Sequence, residues 1–287
     1  GDATQNAGIQ DKWILKLDAS GNVLWEKSFG FSGSDQAFSV IATSDNGLMM
    51  VGFLDITASG GEGNDFANAT QHGVGEFWAH KLDSNGNLVW RRYFGGTNND
   101  RAYDVIETPD NGYIIAGAAE SADFDITNPK GSYDFWIIKV DNSGNLIWQK
   151  SYGGSEIDIA YAITRTNDGN YVVVGDVRST DGDISNSLGN ADLWIIEING
   201  NGDLIWEKTY GGTGFDTARG VYPAQDGGFF VAGSTRSTDV DITNSYGQND
   251  FWVLKLSTSG ALQWQSTFGG SDLDFAYDII QTTDGKV

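Results

Sequence analysis

Short apolar runs separated by polar, glycine-containing turns recur along the whole chain. Between residues 158 and 212, such runs cover 160–165, 171–177, 193–198 and 203–209, and Asn, Asp and Gly cluster between them. Runs of this length, rich in β-branched and aromatic residues, are typical of strands, and Asn, Asp and Gly tolerate the positive φ angles of tight turns. Apolar residues at i, i+3, i+4 and i+7 are not sustained anywhere, so the pattern predicts strands and not helices.

The runs belong to a repeat of 58 residues, which the tryptophans mark. Trp136, Trp194 and Trp252 are 58 residues apart; the earlier copies, Trp13 and Trp78, are 65 apart, which indicates an insertion of seven. A second tryptophan follows twelve residues after each of these, so the repeat explains all ten. A tryptophan present once per unit is more typical of a structural role than of ligand binding. The second tryptophans are Trp25, Trp90, Trp148, Trp206 and Trp264.

The third and fourth runs of each unit are apolar on both faces, which predicts a sheet covered on both sides. A lone four-stranded sheet would leave one face exposed to solvent, whereas radially packed blades cover both faces. We therefore expect an all-β fold, a β-propeller of four-stranded antiparallel blades. A linear β-solenoid is the alternative, although its coils are usually shorter. We predict one β-propeller domain over residues 1–287. Its units are 1–34, 35–99, 100–157, 158–215, 216–273 and 274–287, the last incomplete and open to completion by the N-terminal segment.

Residues 139–148 resemble the tryptophan-docking motif of quinoprotein-type (PQQ-like) β-propellers, which reads Ala-x-Asp-x-x-Thr-Gly-x-x-x-Trp. The motif's alanine and threonine are absent throughout, and the last two copies lack its acid. The resemblance concerns the segment that packs one blade against the next and not a cofactor site. No bound quinone is therefore expected. The matching triads are Asp18/Gly21/Trp25, Asp83/Gly86/Trp90, Asp141/Gly144/Trp148, Asn199/Gly202/Trp206 and Ser257/Gly260/Trp264.

The whole unit also resembles propeller-type repeats that are common in secreted and surface proteins of Bacteroidetes-like bacteria. That resemblance implies an extracellular or cell-surface location. It carries no settled activity. The family phasing would place the start of the chain inside one blade and its end inside another, so we expect a fragment of a longer array in a larger polypeptide, or a ring closed by the two ends.

The charge and composition of the chain limit the kinds of partner that it is expected to bind. Lys and Arg number 17 and Asp and Glu number 39, so the formal net charge is −22. A field of that sign repels phosphates, so we expect no nucleic-acid partner. No apolar run approaches the roughly 18 residues of a membrane span. The chain has no cysteine, so disulfides cannot stabilise it.

Acidic loops between the second and third strands are candidate calcium sites. They recur three times with two acids, an asparagine and a final acid, and Ca²⁺ prefers such oxygen ligands on tight loops. The spacing is not that of an EF-hand, and the alternative is that the side chains cap turns. The candidate ligands are Asp123, Asp125, Asn128 and Asp134; Asp181, Asp183, Asn186 and Asp192; and Asp239, Asp241, Asn244 and Asp250.

A further acid precedes each first strand, and we expect it to bind backbone N–H groups of the Gly-Gly link between units. The alternative is that five such carboxylates surround a central channel and hold a cation. Because alternate connections of an antiparallel sheet lie on one side, this link should share a face with the acidic loops. The acids are Asp35, Asp100, Asp158, Asp216 and Asp274.

The second unit is irregular. Its loop is longer, from Asp55 to Gly73, and Ala67 replaces the second acid. Such a loop could make a specific contact, or it could be a tolerated insertion. His72 and His80 are the only histidines, and two histidines without cysteine make a poor zinc site.

These patterns favour a secreted or cell-surface binding or adhesion module, with calcium as a candidate stabilising ion and a protein or glycan as ligand. A lectin or glycan-active enzyme using the same face is one alternative, with Tyr133 and Tyr246 as candidate ligand-binding aromatics. A structural stalk of a larger surface protein is another. The common nucleophile, phosphate-loop and zinc-protease motifs are absent, so catalysis has little support.

Overall fold

The computed structural model describes residues 5–59, 62–65 and 72–287, and strands account for almost all of its regular structure. The helix of the described part, α1 (Ile56–Ser59), has four residues. The strands are β1 (Lys12–Leu17), β2 (Val23–Phe29), β3 (Gln36–Ala42), β4 (Leu48–Asp55), β5 (Gly75–Leu82), β6 (Leu88–Phe94), β7 (Asp100–Glu107), β8 (Tyr113–Ala119), β9 (Asp134–Val140), β10 (Leu146–Tyr152), β11 (Asp158–Arg165), β12 (Tyr171–Val177), β13 (Asp192–Ile198), β14 (Leu204–Tyr210), β15 (Asp216–Pro223), β16 (Phe229–Thr235), β17 (Asp250–Leu256) and β18 (Leu262–Phe268).

Strands that follow one another in sequence also pair in space. β1 and β2 form a hairpin, and the remaining strands form four-stranded sheets β3–β6, β7–β10, β11–β14 and β15–β18. We call each four-stranded sheet a blade and number the blades 1 to 4 in chain order. The all-β, propeller-type architecture of four-stranded antiparallel blades is therefore confirmed. In the described residues, no helix has the length and apolar character needed to cross a bilayer.

The chain divides into two compact units, Gly1–Pro129 with Ile137–Gln149 and Lys130–Trp136 with Lys150–Val287. In the first unit, β7 packs against β3, β4 and β5. In the second unit, β15 packs against β11, β12 and β13. In each unit, therefore, the first strand of one blade lies on the face of the blade before it, as expected for blades that cover one another.

The third strand of each blade forms its core, whereas the fourth strand is more open to solvent, least so in β6. Trp136, Trp194 and Trp252 are fully buried. In β14, Leu204 and Ile205 are 38% and 48% exposed. The prediction that the fourth strand is covered on both faces is wrong, because this strand is the outer edge of its sheet.

Three of the second tryptophans dock onto the glycine of the corresponding turn in the next repeat. A Cβ atom on Gly86, Gly144 or Gly260 would lie 2.7–3.1 Å from the ring of Trp25, Trp90 or Trp206 respectively. These glycines also have positive φ angles of 74–79°. The glycine therefore serves both the turn and the close approach of the ring.

The residues after β18 form no strand, but they contribute to the second unit. Ala276 and Ile279 pack on a cluster that includes Phe230 and Val253. The backbone N–H of Asp274 donates to the carbonyl of Asn249 at 2.7 Å.

Candidate functional site: repeat junctions and acidic loops

A first-strand aspartate organises each repeat junction. Asp158 accepts the N–H of Gly154 at 2.8 Å, the N–H groups of Arg178 and Ser179 at 3.0 and 3.2 Å, and the Ser179 hydroxyl at 2.7 Å. The predicted bond to the Gly-Gly link is confirmed, and four donors satisfy this carboxylate. The equivalent bonds join Asp35 to Phe31, Asp100 to Gly96, Asp216 to Gly212 and Asp274 to Gly270.

A second carboxylate faces the first across the link glycine. Oδ2 of Asp134 accepts the N–H of Lys130 at 2.6 Å. A Cβ atom on Gly153 would lie 2.5 Å from Asp158 Oδ2 and 3.1 Å from Asp134 Oδ1, so both carboxylates crowd one point. We call two such acids a junction pair. Both acids lie beside the link glycine in Glu76/Asp100, Asp134/Asp158, Asp192/Asp216 and Asp250/Asp274. We include Asp11/Asp35, in which Asp11 lies beside Gly30 and its charge acts on Asp35.

One carboxylate oxygen in every junction pair is buried and has no hydrogen-bond partner. It belongs in each case to the acid that begins or precedes the third strand. A buried acceptor without a donor is unfavourable, so this five-fold recurrence requires a physical explanation. The atoms are Asp11 Oδ1, Glu76 Oε1, Asp134 Oδ1, Asp192 Oδ1 and Asp250 Oδ1.

Burial raises the pKa values of several of these acids. The pKa of Asp134 rises to about 6, mainly through burial and further through the nearby Asp158 charge. Burial also raises the pKa of Asp192 and that of Asp158. In the first unit, burial and then the charges of Asp100 and Asp125 raise the pKa of Glu76 to about 11.

The acidic loops bind the link of the preceding repeat. We call residues 123–125, 181–183 and 239–241 the DxD loops. Asp181 Oδ1 accepts the N–H of Ser155 at 2.8 Å, and Asp183 Oδ2 accepts the N–H of Gly153 at 3.1 Å. The other loops repeat this geometry: Asp239 and Asp241 bind Thr213 and Gly211, and Asp123 and Asp125 bind Thr97 and Gly95. The acidic loops and the links therefore share a face, as predicted.

The predicted calcium ligands occupy two different environments. Asp134, Asp192 and Asp250, which begin third strands, lie in junction pairs. The acids of the DxD loops instead accept backbone N–H groups of the links between repeats. Asn128, Asn186 and Asn244 are exposed, and the last two accept a threonine hydroxyl through their backbone carbonyls. Across residues 5–59, 62–65 and 72–287, no group of three or more His, Cys, Asp or Glu side chains is arranged to hold a metal ion.

The middle residue of each DxD loop has a positive φ angle. It is 69° at Gly182, 51° at Phe124 and 57° at Val240. Glycine adopts this conformation without strain, but a β-branched side chain does not. Phe124 and Val240 are nevertheless 51% and 62% exposed, so each loop presents its middle residue to solvent.

The two candidate tyrosines differ in exposure. Tyr246 is 58% exposed and lies on the loop after the third DxD loop. Tyr133 is only partly exposed, and its backbone joins that of Ile157 in a parallel bridge. Tyr246 is therefore the better placed of the two to touch a ligand.

The irregular second repeat contributes His72 to the Glu76/Asp100 junction pair. His72 Nδ1 lies 3.1 Å from Glu76 Oε2, and its ring stacks on that of Phe124 with centroids 4.8 Å apart. Burial lowers the pKa of His72, and the charges of Asp125 and Asp123 oppose that effect. Ala67, the predicted replacement of an acid, lies outside the described residues.

A repeated β-bulge was not predicted from the sequence. The register of the first strand shifts at the same place in four blades, and bulges commonly re-aim a side chain. The bulged residues are Phe38, Tyr103, Tyr161 and Arg219. In the first unit Phe38 packs on Tyr103, and in the second Arg219 lies 3.5 Å from the Tyr161 ring centroid. The available signal was the repeated Asp-x-Ala that precedes each of them.

Comparison with known proteins leaves the family open. No family model matches the chain. It is 23% identical over 215 residues to the regulatory protein FlaEY of Caulobacter vibrioides, covering 68% of this chain but only 22% of that protein. The chain therefore spans about a fifth of the curated relative's length.

Two solved structures align with most of the chain. A protein of unknown function from Bacteroides caccae is 13% identical with a TM-score of 0.37, covering 94% of this chain and 96% of its own. BamB from Moraxella catarrhalis is 16% identical with a TM-score of 0.41, covering 95% of this chain and 65% of its own. At these scores neither likeness bears on function.

Proposed function

We propose that the chain is a binding or adhesion module of a secreted or cell-surface protein. Its ligand, a protein or a glycan, would be contacted by side chains that the DxD loops display. The acids of these loops hold the repeat junctions together, so the residue between them is the part of the loop that is free to vary. The proposal needs no catalytic group.

The observation that carries the proposal is the exposed Val240 at a φ angle of 57°. A non-glycine residue in this region costs about 1 kcal/mol or more, and the equivalent position in the neighbouring repeat is Gly182. The loop therefore folds without a side chain there. Strain retained at an exposed position is typical of residues that serve binding.

The test is Val240→Gly, with Ile205→Ala as the matched control. Glycine relieves the backbone strain, so we expect the melting temperature to stay equal or rise while binding falls at least about tenfold, since 1.4 kcal/mol of lost contact is a factor of ten. Ile205 is exposed on β14, away from the loops, so its replacement should leave binding unchanged. Binding is measured on a glycan array and on immobilised extracellular matrix proteins.

The same experiment separates the alternatives. Binding to glycans that Tyr246→Ala abolishes would favour a lectin, because an exposed aromatic ring offers a stacking surface outside the repeat pattern. A wild-type chain that binds neither probe would contradict the binding-module proposal and favour a structural stalk. For a glycan-active enzyme, the most strongly perturbed carboxyl, Glu76, is fully buried and presents no surface to a substrate.

Calcium stabilisation remains part of the proposal. Each DxD loop carries two carboxylates on a tight turn, and in the second unit Asp181 is exposed and Asp239 is partly exposed. Their bonds to backbone N–H groups leave lone pairs free for a cation.

A further inference from the structure

We propose that the junction pairs Asp134/Asp158 and Asp192/Asp216 are proton-binding sites, in which one proton shared by two carboxylates holds adjacent repeats together in mildly acidic solution. This inference is independent of the ligand proposed above. It concerns the second compact unit, where both pairs lie.

The hydrogen bonds favour different protonation states for the two acids of a pair. Asp158 accepts four donors, which favours its ionised form. Asp134 accepts the N–H of Lys130 at Oδ2 and a further backbone hydrogen bond from Gly131, while its buried Oδ1 has no hydrogen-bond partner and lies near Asp158 across Gly153. A proton on Asp134 Oδ1 would turn an unpartnered acceptor into a donor toward Asp158. It would also remove the repulsion between two buried charges.

The second pair repeats this geometry. Asp192 Oδ2 accepts the N–H of Leu188 at 2.7 Å, and its Oδ1 is buried without a partner. A Cβ atom on Gly211 would lie 2.5 Å from Asp216 Oδ2 and 3.1 Å from Asp192 Oδ1, the same distances as in the first pair. Two copies with the same geometry argue that the arrangement is a property of the repeat.

The donors around the pair favour a proton over a metal ion. The N–H groups of Gly153, Gly154 and Ser155 all point at carboxylates of this junction, so the link is lined by positive dipole ends. Ca²⁺ needs six to eight oxygen ligands. Within the described ranges no cluster of three ligating side chains is present. A proton needs only the two facing oxygens.

The neighbouring charges do not neutralise the pair. Besides Asp158, Asp134 faces Lys130, but the Lys130 Nζ lies 3.3 Å from Asp183 Oδ1 and is bound there. Asp183 and Asp181 add negative charge on the loop side of the link. Asp192 faces Asp216, and Asp241 binds the same link at Gly211. The surroundings therefore add negative charge, which favours proton uptake.

The direction of the pH effect follows from linkage. Burial, followed by the Asp158 charge, raises the pKa of Asp134 to about 6, above the usual value of 3.8. The folded state then binds this proton more tightly than the unfolded state. Its stabilising contribution is complete below about pH 3.8 and is lost as the pH rises through about 6.

The test is chemical unfolding of the full chain from about pH 5 to about pH 8, comparing wild type with Asp134→Asn and with the Asp134→Asn, Asp192→Asn double variant. The asparagine amide mimics the protonated carboxyl and donates to Asp158 without a titration. In wild type, the titration of each pair should change the equilibrium constant for unfolding by up to about tenfold per pH unit. Each substitution should remove the pH dependence that comes from its own pair. At about pH 8 the variants should be at least as stable as wild type.

Asp226→Asn is the matched control. Its exposed carboxylate binds Lys255 Nζ at 2.8 Å, and that bond lowers the pKa of Asp226. Losing this charge should leave the contribution of the junction pairs intact. Because the pKa of Asp226 is lowered from 3.8, this carboxyl stays ionised throughout the measured range, so the control should keep the wild-type pH dependence between about pH 5 and about pH 8.

Two outcomes would overturn the proposal. One is an Asp134→Asn variant that is less stable than wild type at about pH 8 and keeps the wild-type pH slope. The other is Ca²⁺ that stabilises wild type but not Asp134→Asn, which would identify a bridging cation. If a variant fails to fold, infrared spectroscopy of wild type decides: part of the protonated-carboxyl band should disappear between about pH 5 and about pH 7, in addition to the part that Glu76 retains, and a band that does not change over this range would contradict the proposal.

Discussion

At the scale of single residues, His80 departs most clearly from the repeat. The equivalent positions hold Leu15, Ile138, Ile196 and Leu254. His80 is fully buried, and neither ring nitrogen has a hydrogen-bond partner. The ring lies between Trp78 and Phe29, with centroids 4.2 and 5.0 Å away. An aliphatic site therefore contains an imidazole whose polar atoms are unsatisfied.

Lys12 is the matching departure at a neighbouring core position, where the later repeats have Phe77, Phe135, Leu193 and Phe251. Its Nζ donates to the carbonyl of Trp78 at 2.8 Å and lies 4.5 Å from that ring's centroid. Burial lowers the pKa of Lys12 well below its usual value. Burial, and then the Lys12 charge, likewise lower the pKa of His80.

We expect His80→Leu to raise the free energy of unfolding by about 1–2 kcal/mol at neutral pH, because it removes two unsatisfied buried polar atoms. The pKa of His80 is lowered in the folded state, so wild type should lose stability as the pH falls through about 6.5, where the unfolded imidazole takes up a proton. Urea unfolding at about pH 7.5 and about pH 5.5 measures both effects. His80→Gln serves as control, since it keeps a buried polar group. A destabilised His80→Leu would mean that the imidazole makes a favourable contact.

At the scale of strands and blades, the periodic features were predictable and the junction pairs were not. The 58-residue spacing locates four-stranded units because strand pattern and turn residues repeat together. The fourth strand was misjudged, because a run such as Leu204-Ile205-Trp206 has the composition of a core strand but lies at an edge. The sequence singles out Asp134 and Asp158 individually. It does not show that they lie on either side of Gly153, because this depends on how consecutive repeats pack. The alternation of apolar and polar residues does not locate the bulge at Tyr161, for which the repeated Asp-x-Ala before it is the available signal.

The second tryptophans of the last two blades differ in whether a following blade covers them. Trp206 is partly buried against Gly260 of the next blade, whereas Trp264, at the same position one repeat later, is 43% exposed. We expect Trp206→Ala to lower the free energy of unfolding by about 2–4 kcal/mol and Trp264→Ala by about 1 kcal/mol or less, because the cost follows the packed area removed. Paired denaturant unfolding curves measure the difference. Equal losses would mean that docking adds nothing beyond the contacts within a blade.

At the scale of the whole molecule, the net charge of −22 makes every stability measurement depend on dissolved cations. Self-repulsion among 39 acids destabilises the folded chain, and any salt that screens it raises stability. The described ion pairs are few and mostly involve exposed partners, such as Asp110 with Lys139 and Asp45 with Lys81. Internal pairing therefore leaves most of this negative charge to the solvent and its ions.

Specific calcium binding must be separated from this general screening. We expect CaCl₂ to raise the melting temperature more than NaCl at equal ionic strength if the DxD loops bind the ion, because occupancy at about 100 times the dissociation constant adds about 2.7 kcal/mol. Adding a chelator should reverse the extra shift. Asp239→Asn changes one of the three loops: its carboxylate accepts the N–H and hydroxyl of Thr213, so the variant should lose that loop's share of calcium's advantage while retaining the response to NaCl. Equal responses to the two salts in wild type would mean that the loops only cap turns, and that the acidic surface acts through its charge alone.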